Sequence, residues 1–147
     1  MTVKVFVDSN VIVYARDRAA RAKRATAIEW LAALAAQDAA IVSPQVLNES
    51  IRAFIDKMDA RPSELRIFVA EMASWCTASI GPAVIVRALD IRDRWRFGWW
   101  DSLIVASAVD AGCRYLLTED MQDNQDLDGV TVVNPFTHPP TAILSAP

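Results

Sequence analysis

Short β-branched runs alternate with longer segments of helical period along the whole chain, and no other feature of the sequence restricts the fold as much. Residues 3–7 (Val-Lys-Val-Phe-Val) read as a buried strand that ends at Asp8. Ser9 and Asn10 follow as helix-capping types, and residues 11–15 read as a short helix. Residues 21–37 form a second helix, with Ile28, Leu31, Leu34 and Ala35 at helical spacing. Residues 39–42 are a second strand. Ser43 then caps a helix with Pro44 in its first turn and an apolar stripe of Val46, Leu47, Ile51, Phe54, Ile55 and Met58. Residues 61–63 break it, residues 64–74 are helical again, and residues 75–79 read as a third strand. Residues 83–94 are a helix and residues 97–100 a loop. Asp101 opens the helix 102–111, which Gly112 ends. Residues 114–117 and 130–133 supply the last two strands, and residues 134–147 are a Pro-rich tail.

Strands separated by helices cannot be joined as hairpins, so they pair in parallel with helices as crossovers. The expected fold is a three-layer α/β/α arrangement around a mostly parallel sheet of four or five strands. At 147 residues, with 53% hydrophobic side chains, the chain is sized for a single domain with one core spanning residues 1–147. Open parallel sheets place ligands outside the carboxyl ends of their strands.

Four acidic residues hold such positions or can reach them. Asp8 ends the first strand, Asp120 lies just past the fourth, Asp101 starts a helix, and Glu49 sits among Val46, Leu47, Phe54 and Ile55. A carboxylate near a buried face is costly unless it is paired or binds a metal. Several carboxylates together repel one another, and a divalent cation relieves that repulsion. Oxygen donors favour Mg²⁺ or Mn²⁺ over zinc. The only histidine, His138, is alone in the tail, so zinc has no imidazole set to bind. A bound Mg²⁺ would activate water and neutralise charge on a phosphodiester. Taken singly each residue has a plainer reading: Asp101 as a cap, Asp8 as a turn residue, Glu49 as a solvated side chain.

Charge is informative in its distribution. The net charge is −3, which does not by itself suggest nucleic acid. Yet Arg16, Arg18, Arg21, Lys23 and Arg24 cluster, as do Arg87, Arg92, Arg94 and Arg96. Trp95, Trp99 and Trp100 lie beside the second cluster and suit either base stacking or packing. Cys76 and Cys113 form no metal-binding pair and read as reduced thiols. The chain enters a strand pattern at Val3 with no signal-peptide pattern before it, and no apolar run reaches spanning length. A cytoplasmic protein without a membrane partner is expected.

Several stretches resemble the acidic motifs of PIN-domain nucleases. Val5-Phe6-Val7-Asp8-Ser9-Asn10-Val11 is similar to the opening motif and Val46-Leu47-Asn48-Glu49 to the second. The run from Trp100-Asp101-Ser102 to Ala108 is similar to the third, and Leu116-Leu117-Thr118-Glu119-Asp120-Met121-Gln122 to the fourth. Residues 129–136 also resemble the family's closing segment. The small size resembles a VapC-type toxin of a toxin–antitoxin pair. The resemblance implies a Mg²⁺- or Mn²⁺-dependent endoribonuclease that hydrolyses RNA with a metal-activated water. It also implies homodimerisation and inhibition by a cognate antitoxin. Carried over by position, Asp8, Glu49, Asp101 and Asp120 are the catalytic and metal-binding quartet, and Ser9 and Asn10 support it. At the fourth position Glu119 and Asp123 stand close enough to share the role. Two other readings compete: a non-catalytic RNA- or partner-binding module on this scaffold, and a phosphotransfer enzyme with Asp8 as nucleophile. The second usually has another Asp two residues on, where this chain has Asn10.

Overall fold

In the computed structural model, which describes residues 2–145, five short strands form one sheet. They are β1 (Val5–Val7), β2 (Ala40–Ile41), β3 (Tyr115–Leu117), β4 (Asp126–Leu127) and β5 (Val130–Val133). Their order is β2-β1-β3-β5-β4. β1 pairs in parallel with β2 and β3, β3 in parallel with β5, and only β4 runs antiparallel, against β5. The six helices are α1 (Ser9–Arg16), α2 (Ala22–Ala36), α3 (Pro44–Met58), α4 (Pro62–Met72), α5 (Pro82–Trp95) and α6 (Trp99–Asp110). This is the mostly parallel α/β fold expected. Position 1 and the last two positions of the expected tail, 146 and 147, lie outside the described residues.

The order has a consequence for the site. From β1 the chain first steps to one side, to β2, and then returns past β1 to β3. Right-handed crossovers place helices made on opposite steps on opposite faces, and they leave a crevice where the direction reverses. That reversal falls between β1 and β3, whose register pairs Val7 with Leu117. The next residues, Asp8 and Thr118, therefore leave the sheet side by side; the Asp8 N–H donates to Leu117 O at 3.1 Å.

Val5, Phe6 and Val7 are fully buried, as a central strand covered on both faces requires. α6 is buried along Ser102–Ala108, and its two serines satisfy their hydroxyls on Gly98 O (2.9 Å) and Ser79 O (2.8 Å). α2 buries Ala27, Trp30 and Leu34, whereas Ile28 of the expected stripe is 43% exposed. Alanine occurs on every side of α2, so spacing alone does not select its inner face; the large indole of Trp30 does. Trp30 Nε1–H donates to Pro135 O (2.9 Å) and His138 O (3.1 Å), tying the tail to α2.

Three local expectations are corrected. Residues 75–79 form no strand: a turn over residues 73–75 follows α4, and the segment contributes one bridge, Cys76 to Val42, before it leads on to α5. The fifth strand is instead β4, joined to β5 by Asp128 (φ 54°) and Gly129 (φ 92°), a two-residue Asp-Gly turn of the type that suits hairpins. Trp99 and Trp100 lie in α6 and not in a loop; Gly98 holds the cap position, so Asp101 sits within the first turn. Ser43 precedes α3 but makes no side-chain cap bond.

Replacing Trp30 by Phe keeps the ring in the core and removes its donor, leaving two carbonyls unmatched. A loss of about 1–2 kcal/mol is expected in urea unfolding, with faster proteolysis after Pro135. An unchanged midpoint would show that this bond does not hold the tail.

Candidate active site

The crevice between β1 and β3 is where the acidic residues gather. Asp8 caps α1: its extended backbone (φ −76°, ψ 158°) lets Oδ1 accept the Ser9 N–H at 2.7 Å. Its Oδ2 accepts the Thr118 hydroxyl at 2.9 Å and faces Asn10 Nδ2 at 3.4 Å. The Asn10 amide also donates to Thr118 Oγ1 (2.9 Å) and Asp120 Oδ2 (3.2 Å), while Thr118 Oγ1 accepts the Asp120 N–H at 3.1 Å. One amide and one hydroxyl thus join Asp8 to Asp120. Glu49 enters from the second turn of α3, where Gln45, one turn earlier, donates Nε2–H to its Oε1 at 3.2 Å. Asp101 enters from the first turn of α6, at the positive end of that helix.

The four carboxylates feel one another. Asp8 is buried, and loss of water together with the charges of Glu49 and Asp120 pushes its pKa up to about 7, against the pull of Thr118 and Ser9. Glu49 is raised by burial and by Asp101 and Asp120, against the hydrogen bond from Gln45. Asp101 is raised by burial and by Asp120. Asp120, on the exposed segment after β3, is the one charge that acts on all the others.

The remaining expected residues divide. Asn10 belongs to the network, and Ser9 reaches it through its backbone N–H alone. Glu119 turns away: it accepts from Tyr14 Oη and from Lys23 Nζ (2.7 Å). Burial raises its carboxyl, but those two donors outweigh burial and hold it below the usual range. Asp123 also serves elsewhere, accepting the Asn134 N–H at 2.8 Å and meeting His138 Nε2 at 2.6 Å. Two of the five residues of the first basic cluster are engaged: Lys23 binds Glu119, and Arg16 pairs with Glu71 at 2.9 Å while lying over Phe54 and Phe68.

Thr118 and Tyr14 were not singled out from the sequence. Thr118 had a signal, a hydroxyl residue at a strand end just before two acids. Tyr14 also had one, since it follows Asn10 by one helical turn on α1.

The donor set is all oxygen and suits a hard divalent cation. Among the described residues no three acidic, imidazole or thiol groups already stand close enough together to form a coordination shell. The Asn10 amide lies between Asp8 and Asp120 and faces an oxygen of each, at 3.4 and 3.2 Å. A carboxyl pushed up to about 7 by burial, and further by the charges of Glu49 and Asp120, is what an added positive charge would relieve.

Fold and site together define a parallel α/β protein with an acid-lined crevice at its topological reversal. The chain belongs to the PIN-domain family, whose model matches residues 5–126 and whose members are generally nucleases. Two solved structures are similar in fold. FitAcB from Neisseria gonorrhoeae is 15% identical, with 90% of this chain and 98% of that one covered and a TM-score of 0.59. VapBC2 from Rickettsia felis, bound to a DNA fragment from their promoter, is 18% identical, with 88% and 97% covered and a TM-score of 0.62. No curated protein matches the sequence significantly.

Two outcomes follow from the geometry. A carboxyl whose folded pKa exceeds its unfolded value stabilises the fold at low pH and loses that contribution as pH rises through the folded pKa. In EDTA, stability should therefore fall from pH 4 to pH 7 and then level. Asp8→Asn should flatten that slope and gain on the order of 1–3 kcal/mol at pH 8 in urea unfolding. A slope equally steep in the variant would remove Asp8 as its source. Thr118→Val, which deletes the hydroxyl shared by Asp8, Asn10 and Asp120, should cost about 1–3 kcal/mol in the same measurement.

Proposed function

We propose that the protein is a Mg²⁺- or Mn²⁺-dependent endoribonuclease acting as the toxin of a toxin–antitoxin pair, of VapC type. The observation that carries this reading is the hydrogen-bonded join of Asp8 to Asp120 through Asn10 and Thr118 at the carboxyl ends of β1 and β3, with Glu49 of α3 and Asp101 of α6 close enough to feel the Asp120 charge. Structural ion pairs neutralise acids; here the acids face one another with an amide as the main intermediary.

In this reading Asp8, Asp101 and Asp120 hold the cation and Glu49 stands beside them. When bound, the cation would lower the pKa of water and offset charge on the phosphodiester. Thr118 and Asn10 fix the rotamers of Asp8 and Asp120, so the acids do not have to be ordered when RNA arrives. Water adds in line to phosphorus as the bond to the 3′-oxygen breaks, leaving a 5′-phosphate and a 3′-hydroxyl. Glu49, whose raised carboxyl brings it nearer to neutral pH, accepts the proton or orients the water. Lys23 holds Glu119 out of the crevice and keeps a further negative charge from the RNA backbone.

The proposal extends to partners. The Rickettsia felis neighbour is a VapBC pair on DNA from their promoter, which supports a cognate, DNA-binding antitoxin for this chain. Ile85, Val86 and Leu89 are exposed on α5 and support a homodimer. No helix among the described residues is long and apolar enough to cross a membrane. Two free thiols suit the cytoplasm, which we take as the place of action.

Purified protein should cut single-stranded RNA in Mg²⁺ or Mn²⁺ and stop in EDTA. Asp8→Asn and Asp101→Asn should each lower the rate by roughly 100-fold or more while remaining folded. Sequenced 5′ ends after brief induction would name the substrate. Cleavage by Asp8→Asn at the wild-type rate would displace the site, and calorimetry without Asp8-dependent Mn²⁺ binding would favour a binding module.

A further inference from the structure

The acidic crevice has a neighbour. Glu49 also lines an open cleft of about 540 Å³, whose other walls include Gln45 and Asn48 of α3, Ile80, and Trp100 and Leu103 of α6. That volume is in the range of small-ligand sites, roughly 300–1,000 Å³.

Two observations bear on what the cleft takes. Trp100 is 64% exposed although it stands in the first turn of a helix whose later turns are buried. A solvent-facing indole at the edge of a site offers a flat π-face. Gln45 is only 6% exposed. Its Nε2 spends its hydrogens on Glu49 Oε1 (3.2 Å) and on the backbone carbonyl of Trp100 (3.0 Å), and its Oε1 has no partner. A buried acceptor left unmatched is costly, and such atoms call for a donor. A planar ring with N–H groups on its edge satisfies both features.

We propose that this cleft is a nucleobase subsite, in which an unpaired base of the RNA strand stacks on Trp100 over Ile80 and Leu103 with its edge turned to the Gln45 side chain. Asn48, exposed at the same wall, uses its amide on Pro44 O (2.7 Å), which leaves its Oδ1 as a further acceptor beside the cleft. Because Glu49 lines the cleft and also stands among the crevice acids, the stacked base belongs to a nucleotide next to the scissile phosphate. The inference rests on the ribonuclease reading and narrows it: the strand is unpaired where it is cut, since a base within a duplex has no free face to stack. Trp95 is not part of this platform, because its ring already carries the Arg94 guanidinium at 4.3 Å, and Arg94 pairs with Asp128 at 2.9 Å.

The test separates base recognition from backbone attraction and from cleavage. Fluorescein-labelled oligouridine, oligoadenosine and a base-less ribose-phosphate strand of equal length are titrated in EDTA against wild type, Trp100→Ala and Trp100→Phe. Wild type should prefer at least one base-bearing strand to the base-less one by about tenfold. Trp100→Ala should lose that preference and Trp100→Phe should keep most of it, with circular dichroism confirming that both are folded. A wild-type preference in Trp100→Ala would overturn the subsite, as would equal binding of all strands by wild type; either result also follows if the cleft receives a protein segment. Cleavage in Mg²⁺ by wild type alongside such a result would leave the nuclease reading intact. Absence of cleavage in the presence of a Trp100-dependent base preference would fail that reading alone.

Discussion

Burial of the Asp8 carboxyl at the end of β1 is the constraint around which the rest is arranged. A charged group in that position has lost its water and meets two further acids, so it is held near neutrality and not far below it. The surrounding structure supplies what water would have given: an N–H from α1, a hydroxyl from the residue after β3, and an amide shared with Asp120. These donors come from segments that only the parallel pairing of β1 with β3 brings together. The sheet order and the chemistry of the crevice are in that sense one arrangement. Undoing the register of Val7 and Leu117 would separate Asp8 from Thr118.

Much of the frame is readable in the sequence alone. β-branched runs mark β1 and β5 and an apolar run marks β3, and the helices between β1 and β3 require parallel pairing there. Asp8, Glu49, Asp101 and Asp120 were readable because acids at strand ends or among apolar neighbours stand out against their surroundings. Thr118 was not, since a threonine beside a strand is ordinary and its role exists only once Asp8 and Asn10 face it across more than a hundred positions. The same holds for Gln45, whose unmatched oxygen appears only in three dimensions. Residues 75–79 look like a strand by composition, but pairing is decided by a partner's edge, and only Cys76 finds one. β4 was missed because two residues carry too little pattern, although the Asp128-Gly129 turn beside it was a usable signal.

Adjacent residues also part company in ways that composition hides. Glu119 and Asp120 differ by one methylene and one position, yet the first is held by Lys23 and Tyr14 and the second turns toward Asn10. The cation cluster that looked available for phosphates is partly committed to such internal pairs.

The sheet is bounded on each side by a strand of two residues, β2 on one flank and β4 on the other. Unpaired backbone along a long edge is a template on which another chain adds a strand, and short borders offer little of it. Copies of this protein, or a partner peptide, therefore have small purchase for extending the sheet. Association is left to the helices, so assembly can bring two crevices near each other without disturbing the strands that set their acids in place.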